Sequence, residues 1–507
     1  MTRKASIAWI CIAVLLTFVY WMVKLNDPFA DEPHAWASAH MALLAHSFSQ
    51  LGIVHLHGVP IQNNLPLGTQ PDKYIHWPPL YAMLLGVAFR ILGESEAAVH
   101  AFVICGNIFY LAAFYFLVKR CFDREVAAYS LFALLTIPVF VQYGRLAWTP
   151  NVAMGAVSTA LYCFLRGTET NLNFKWITAG AASVAFGVFF SWEVAPLGFI
   201  LLCLGLLLRS RIRQIAAAVY AAAGLGSVGI VLVLLVSSSP ELQHDLWSTV
   251  RFRMGGGYEP ADIPIHAWAD HMIYVTHLTL KDWFLNMLDV WEPLLGGTLG
   301  LLAMIGVVVW SWNNRKNRPN EFFAVGGLIG IVVTWCALFP NHVYIHAYEA
   351  LIAAPIFSVS LGVALDAANE SLKGAFRWVA ILIVPLILMV PLARATAGGF
   401  TKPQPSPLLD YAKDIENNTP ETAVVLSPSP NMLPVYYSHR HIIRSVGNDE
   451  ALRSVMHQAR RVFPGSDVFI AITPESLAQF SCVSSHFPLI NRTRNLILFK
   501  VTSGACG

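Results

Sequence analysis

The sequence predicts a polytopic α-helical membrane protein of about 11 transmembrane helices, followed by a small extracytoplasmic α/β domain. Three observations carry this. Only 12% of the 507 residues are charged, where a soluble domain carries roughly 25%, and the mean hydropathy is +0.56. Apolar runs of helical length alternate with short basic clusters. From about Gly398 the composition changes to that of a soluble fold. A soluble chain has too little polar surface to cover this much apolar content. A soluble enzyme, a disordered chain and a nucleic-acid binder are therefore excluded. The formal net charge of +3 implies no strong polyanion partner.

At the start, Arg3 and Lys4 precede an apolar stretch from about Ser6 to Val23. It is long for a signal-peptide core, and Trp21-Met22-Val23-Lys24 offers no small-residue cleavage site. It reads as an uncleaved first helix whose N-terminus is cytoplasmic. The next basic cluster, Lys119, Arg120 and Arg124, follows an apolar helix from about Ala98 to Val118. With that cluster also cytoplasmic, residues 25–97 form one outer loop. In it, WASAHMALLAHSFSQL (36–51) has apolar residues at helical spacing and predicts a helix on the membrane surface. PLYAMLLGVAFRIL (79–92) carries Arg90 and falls short of the ~20 residues a span needs, so it predicts a second helix along the outer face.

Further spans are expected near 126–143, 151–166, 175–191, 194–208, 215–236, 287–311, 321–338, 349–366 and 377–395. Arg166 and Lys175, then Arg209, Arg211 and Arg213, then Arg315, Lys316 and Arg318, then Lys373 and Arg377 mark every second connection. All fall on the side of Arg3, as the positive-inside rule requires, and an odd helix count puts the C-terminus outside. The membrane domain is thus 1–396 and the extracytoplasmic domain 397–507. The latter shows a linker, TKPQPSP, and a helix near Leu408–Glu416. Strands AVVLS and VYYSHRHII follow, then a helix over DEALRSVMHQARRVF and strands DVFIAIT and LILFKV.

Six cysteines, Cys11, Cys105, Cys121, Cys163, Cys203 and Cys336, fall in helices or at the cytoplasmic face and read as inert small hydrophobes. Cys482 and Cys506 lie in the outer domain, where they either pair or stay free. There is no CxxC pair, so a structural zinc site is not expected. His55-Leu56-His57 offers two ligands to a divalent metal, but spacing supplies no third. No cofactor is expected.

Ionisable residues gather at the outer helix ends and in the outer loops rather than at mid-membrane. This favours a reaction at the outer face over ion-coupled transport. The first loop opens NDPFADEPHAW, with Asp27, Asp31 and Glu32. Adjacent carboxylates here can supply a general base and a positioning group. The alternative is that Asp31 caps a helix starting near Pro33.

An acidic pair directly after helix one, a long outer loop, HWPPLY, a short apolar helix ending FRILGES and a span closing in Lys119-Arg120 together resemble one group. It is the GT-C superfamily of membrane glycosyltransferases, and within it the family 39 group of protein O-mannosyltransferases and lipid A aminoarabinose transferases. The resemblance covers roughly residues 1–395 and is densest over 27–166. It implies transfer of a hexose or pentose, with inversion, from a polyprenyl-phosphate sugar to a protein, lipid or glycan acceptor. Asp31 matches the base and Glu32 follows it. Lys73, His76, Arg145, Arg251 and Arg253 become candidates for the donor phosphate. The alternative for each arginine is an interfacial side chain reaching for water.

Two positions depart from the family pattern. Asn151 stands in Thr149-Pro150-Asn151, where many members carry a second acid. Glu193 stands in SWEVAPLG, where many carry a lysine. PNHVYIHAYEAL contributes His342, Tyr344 and His346, although an interfacial aromatic belt also explains the tyrosine. A flippase for a lipid-linked glycan and a non-catalytic GT-C-like scaffold are the competing functions. The loop charges fit a bacterial inner membrane.

Overall fold

The computed structural model describes residues 2–68, 71–238, 243–255, 279–374, 376, 379–400, 406–444 and 446–502. Helix α1 (Thr2–Val23) ends at the first outer loop. Helices α2 (Ala35–Leu51) and α3 (Leu80–Leu92) form in that loop where apolar spacing predicts them. Then comes α4 (Glu96–Cys121), whose N-terminus is capped by the Ser95 hydroxyl accepting from the Ala98 N–H. The expected 126–143 span is broken at Pro138, which ends α5 (Arg124–Thr136) and starts α6 (Pro138–Tyr143). Pro150 occupies the first turn of α7 (Pro150–Gly167), where its missing N–H costs nothing. Next are α8 (Phe174–Phe190), α9 (Leu197–Leu207), α10 (Arg211–Ser238) and α11 (Gln243–Arg253).

The expected 287–311 span is also corrected. It is two helices, α12 (Leu280–Leu294) and α13 (Gly297–Asn313), bent by 103°. Gly296 and Gly297 make the corner at φ 91° and 69°, a backbone open to glycine at little cost. The membrane region closes with α14 (Pro319–Leu338), α15 (Pro340–Ile345), α16 (Ala354–Ser371) and α17 (Val384–Gly399). By length and composition α4, α10 and α14 can each cross a membrane, and the bent pair makes up to four. The expected count of about 11 rests on the shorter helices.

Helix α2 departs from expectation. Instead of lying on the membrane surface it is buried on nearly every side, from Ala37 to Ala45 and at Ser47 and Phe48. Helix α3 packs against it so closely that a Cβ on Gly86 would sit 2.8 Å from the Ala45 carbonyl oxygen. A short helix of the C-terminal region packs on it as well.

That region opens with α18 (Pro407–Asn418) and contains a five-stranded sheet of order β2-β1-β3-β5-β4. Strand β1 (Val424–Leu426) runs parallel to β2 (His441–Ile443) and β3 (Val468–Ile472). Strand β5 (Ile497–Lys500) is antiparallel to β3 and to β4 (Leu489–Arg492). VYYSHRHII is not one strand. It forms α19 (Leu433–Ser438), a left-handed turn at His439 and then β2. Helix α20 (Asp449–Val462) is where DEALRSVMHQARRVF predicts it. Helix α21 (Ser481–His486) and β4 carry no apolar alternation that announces them.

Edge strand β2 is covered by the first outer loop. The Asn63 side chain donates to the Ile442 carbonyl oxygen at 2.8 Å and accepts from the Ile442 N–H at 3.0 Å, as a neighbouring strand would. The Asn64 amide donates to the Val435 and Arg440 carbonyl oxygens. One apolar core then runs from the membrane helices into the sheet, through Tyr411, Val425 and Leu433. Cys482 is disulfide-bonded and six other cysteines are free. Cys506, the other cysteine of the C-terminal region, lies outside the described residues.

Sidedness is open to a direct test. A cysteine replacing exposed Glu421 in intact cells is expected to react with an impermeant thiol reagent, and one replacing exposed Lys316 is not. The opposite labelling would invert the orientation drawn from the basic clusters.

Candidate functional site

The acidic pair forms through a short turn. Proline at position 28 starts a 3-10 helix, Phe29–Asp31, and Glu32 leaves it in extended conformation. Helix α2 begins only at Ala35, and its N-cap is His34, in left-handed conformation with no side-chain cap bond. Asp31 therefore does not cap α2. Its Oδ2 is buried and, among the described residues, has no hydrogen-bond partner. Burial raises its pKa above the ordinary carboxylate value, Lys24 and Arg145 pull it down, and Asp27 and Glu32 push it up.

Glu32 has a different environment. It is buried, and its Oε2 accepts from the Ser38 hydroxyl at 2.6 Å. Its Oε1 lies 2.8 Å from His100 Nε2 and 3.7 Å from Arg145 Nη2. Arg145 donates to the Lys24 carbonyl oxygen at 2.6 Å, and Ser38 accepts from the Ala147 N–H at 3.0 Å. Glu32 thus ties α2, α4 and the turn before α7 into one network. Asn151, in the first turn of α7, donates back to that turn, to the Gly144 carbonyl oxygen at 3.4 Å. The acidic turn is held from the other side too. Tyr437 of α19 accepts from the Phe29 N–H at 2.8 Å, and the Phe29 ring packs on His100, Tyr436 and Tyr437.

His34, just past this turn, lines a cavity of about 320 Å³ whose lining does not include Asp31 or Glu32. His34, Trp36 and His40 line one wall, Tyr74, His76 and Trp148 another, Arg253, His342, His346 and Tyr348 a third, and Pro430, Asn431, Met432 and Arg444 the wall from the C-terminal region. Arg253 is fixed at the end of α11. Its Nη1 donates to the His76 carbonyl oxygen at 3.2 Å, and its guanidinium lies 5.1 Å from the centroid of the Trp77 ring. His342 Nε2 lies 3.1 Å from Glu349 Oε1, which orients its ring. Burial lowers the pKa of His34, His342 and His346, and that of His40 to about 3, so these rings are neutral at physiological pH.

Of the residues singled out from the sequence, His76, Arg253, His342 and His346 line the cavity. Glu32 and Arg145 belong to the network at the acidic turn, Asn151 bonds the backbone beside Arg145, and Asp31 sits in the turn without a bond to them. The other four are elsewhere. Lys73 donates to the Ser238 carbonyl oxygen at 2.6 Å, at the end of α10. Arg251 is exposed, and the Tyr344 hydroxyl accepts from Asn286 at 3.2 Å. Glu193 accepts from the Ser191 hydroxyl, which reaches Thr149 at 2.9 Å, and Thr149 accepts from Trp77 at 3.0 Å. Glu193 therefore supports the floor under Trp77. Gly256 and Gly257, which follow Arg253 in the chain, lie outside the described residues. His55 and His57 are exposed, and among the described residues no group of three His, Cys, Asp or Glu is placed to hold a metal.

Ser38, His100, Tyr437 and Arg444 join the site without being singled out by the sequence. Only His100, in a helix otherwise apolar at that end, carries a signal, the cost of a buried ring that needs partners.

Comparison with known proteins follows the same lines. Residues 76–238, roughly a third of the chain, match the family model for dolichyl-phosphate-mannose-protein mannosyltransferase. No curated protein matches the chain by sequence. The crystal structure of ArnT from Cupriavidus metallidurans bound to undecaprenyl phosphate is similar, with TM-score 0.66, 14% identity and 98% of both chains covered. The archaeal oligosaccharyltransferase AglB from Archaeoglobus fulgidus, in complex with an inhibitory peptide and a dolichol-phosphate, gives TM-score 0.56 at 14% identity. That match covers 92% of this chain and 69% of AglB. The chain has the GT-C fold.

Proposed function

We propose that the protein is a glycosyltransferase that moves a sugar from a polyprenyl-phosphate carrier to an acceptor at the outer face of a bacterial inner membrane. Asp31 is the base. It takes the proton from the acceptor nucleophile, which attacks the anomeric carbon from the face opposite the phosphate. The bond from that carbon to the phosphate oxygen breaks, the configuration inverts, and the phosphate leaves on its lipid.

The observation that carries this reading is the state of Asp31. Among the described residues its buried Oδ2 caps no helix and accepts no hydrogen bond, and the chain runs from it within three residues to His34, which lines a cavity large enough for a small ligand. A buried acceptor with nothing to accept from is costly, and a substrate hydroxyl satisfies it. Arg253 suits the phosphate, because a guanidinium offers a planar fork to its oxygens. Trp36 and Trp148 give the sugar apolar faces to lie on. Glu32, with its oxygens already engaged, positions the turn. The carriers named for ArnT and AglB, undecaprenyl phosphate and dolichol-phosphate, support a lipid phosphate as the leaving group.

The test is incubation of the purified protein with a radiolabelled polyprenyl-phosphate sugar and membranes of the source cells. Label is expected on an acceptor other than the carrier. Label that only changes leaflet, still attached to polyprenyl phosphate, would establish a flippase instead.

A further inference from the structure

We propose that the cavity holds two anionic groups at once, one at Arg253 and a second, a phosphate or carboxylate, at Arg444. Assigning the first to the carrier phosphate rests on the glycosyltransferase reading. The second follows from the charge and construction of the cavity.

The two guanidinium groups enter from different parts of the fold. Arg253 ends α11 on the membrane side, and Arg444 follows β2 in the C-terminal region. Both line the same cavity. Among the described residues, neither takes part in a carboxylate ion pair. Each instead donates to a backbone carbonyl oxygen, Arg253 to His76 at 3.2 Å and Arg444 to Pro430 at 3.0 Å. Burial lowers the Arg444 pKa, and Asp72 raises it by a smaller amount. Burial keeps His34, His40, His342 and His346 neutral. The permanent charges on the described cavity walls are those of the two arginines.

Two partly desolvated cations with no carboxylate in contact cost free energy in the empty protein, and an anion recovers part of it. Low-dielectric walls of tryptophan, tyrosine and neutral histidine focus that field on the cavity. A single phosphate at Arg253 leaves Arg444 uncompensated. Pro430, Asn431 and Met432 surround the Arg444 end, so the C-terminal region builds the second subsite. It is fixed in place by the Asn63 and Asn64 bonds to the first outer loop.

The second anion comes either with the donor, as a second phosphate or an acidic sugar, or with the acceptor. Binding to the full-length protein in nanodiscs separates these sources. The probes are undecaprenyl phosphate, undecaprenyl pyrophosphate and inorganic phosphate, the last with and without the monophosphate lipid bound. Charge-assisted hydrogen bonds of this kind set the expected loss at about tenfold or more. Arg444→Gln is expected to leave undecaprenyl phosphate affinity within a few-fold of the original. If the donor carries the second anion, the native protein prefers the pyrophosphate to the monophosphate and the variant does not. If the acceptor carries it, inorganic phosphate binds the lipid-loaded native protein and the variant loses that binding.

Asn431→Asp is the second variant. The new carboxylate keeps the oxygen that accepts from the Leu433 N–H at 2.9 Å and places a negative charge beside Arg444. It is expected to produce the same losses without removing the arginine, which covers the case in which Arg444→Gln does not fold. Affinities unchanged by both variants in both arms would overturn the proposal. Failure of undecaprenyl phosphate to bind the native protein would instead overturn the glycosyltransferase reading. Loss of inorganic phosphate binding in the lipid-free Arg444 variant would still support the second subsite.

Discussion

Asp31→Asn is expected to lower sugar transfer by about 10²–10⁴-fold, the usual contribution of a positioned general base. Expression, thermal stability and affinity for undecaprenyl phosphate are expected to stay near those of the native protein. The amide fills the same space, and the structure does not depend on the Asp31 side chain for a cap. The pH profile gives an independent reading. Burial raises the Asp31 pKa, and only the deprotonated carboxylate takes a proton. Activity should therefore fall as the pH drops through that raised value, and this acid limb should disappear in the variant. Glu32→Gln should behave differently. It weakens the bonds to Ser38, His100 and Arg145 and is expected to lower stability as well as activity. Near-native turnover by Asp31→Asn would remove Asp31 as the base. A dead but fully stable Glu32→Gln would transfer that role to its neighbour.

The second large effect is expected at Arg253. Truncating one partner of a buried hydrogen-bonded charge pair costs about 2–5 kcal/mol, so Arg253→Gln should weaken binding of the lipid phosphate by about 30-fold to several thousand-fold. Arg253→Lys should not restore it fully. Lysine keeps the charge but loses the planar fork and the stacking on Trp77. The losses should appear in KM for the lipid donor more than in the pH profile, which separates this residue from Asp31. Undecaprenyl phosphate affinity unchanged by Arg253→Gln, measured in nanodiscs, would place the lipid phosphate elsewhere in the fold.

Asp31 is legible in the sequence because a carboxylate directly after a first span is expensive and conspicuous. Its use is not legible there, since capping and catalysis draw on the same residue type at the same place. The structure decides against capping by starting α2 at Ala35, with His34 at its N-cap. Arg251 and Arg253 read alike, both within WSTVRFRM. Only the docking of α11 lines the cavity with Arg253 and leaves Arg251 exposed. Lys73 suits a phosphate by its chemistry, yet its ammonium binds the end of α10. Helix α2 reads as a surface helix because periodicity reports one apolar stripe. It cannot report that the opposite face is covered by α19, which comes from the far end of the chain.

The sequence by itself determined the membrane class, the positions of most helices, the mixed helix and strand make-up of the C-terminal region and the acidic turn after the first span. These follow from local quantities: hydropathy summed over a window, the period of apolar residues, prolines that break helices and basic residues between spans. Tertiary structure alone decided that the 126–143 and 287–311 runs are each two helices around a break. It decided that Glu32 is engaged while Asp31 keeps an unpaired oxygen, and that Tyr437 grips the turn carrying both. It also brought Arg253 and Arg444, far apart along the chain, to one cavity. The physical reason is that burial, hydrogen-bond pairing and cavity charge depend on which distant segments meet, and no window along the chain contains both partners.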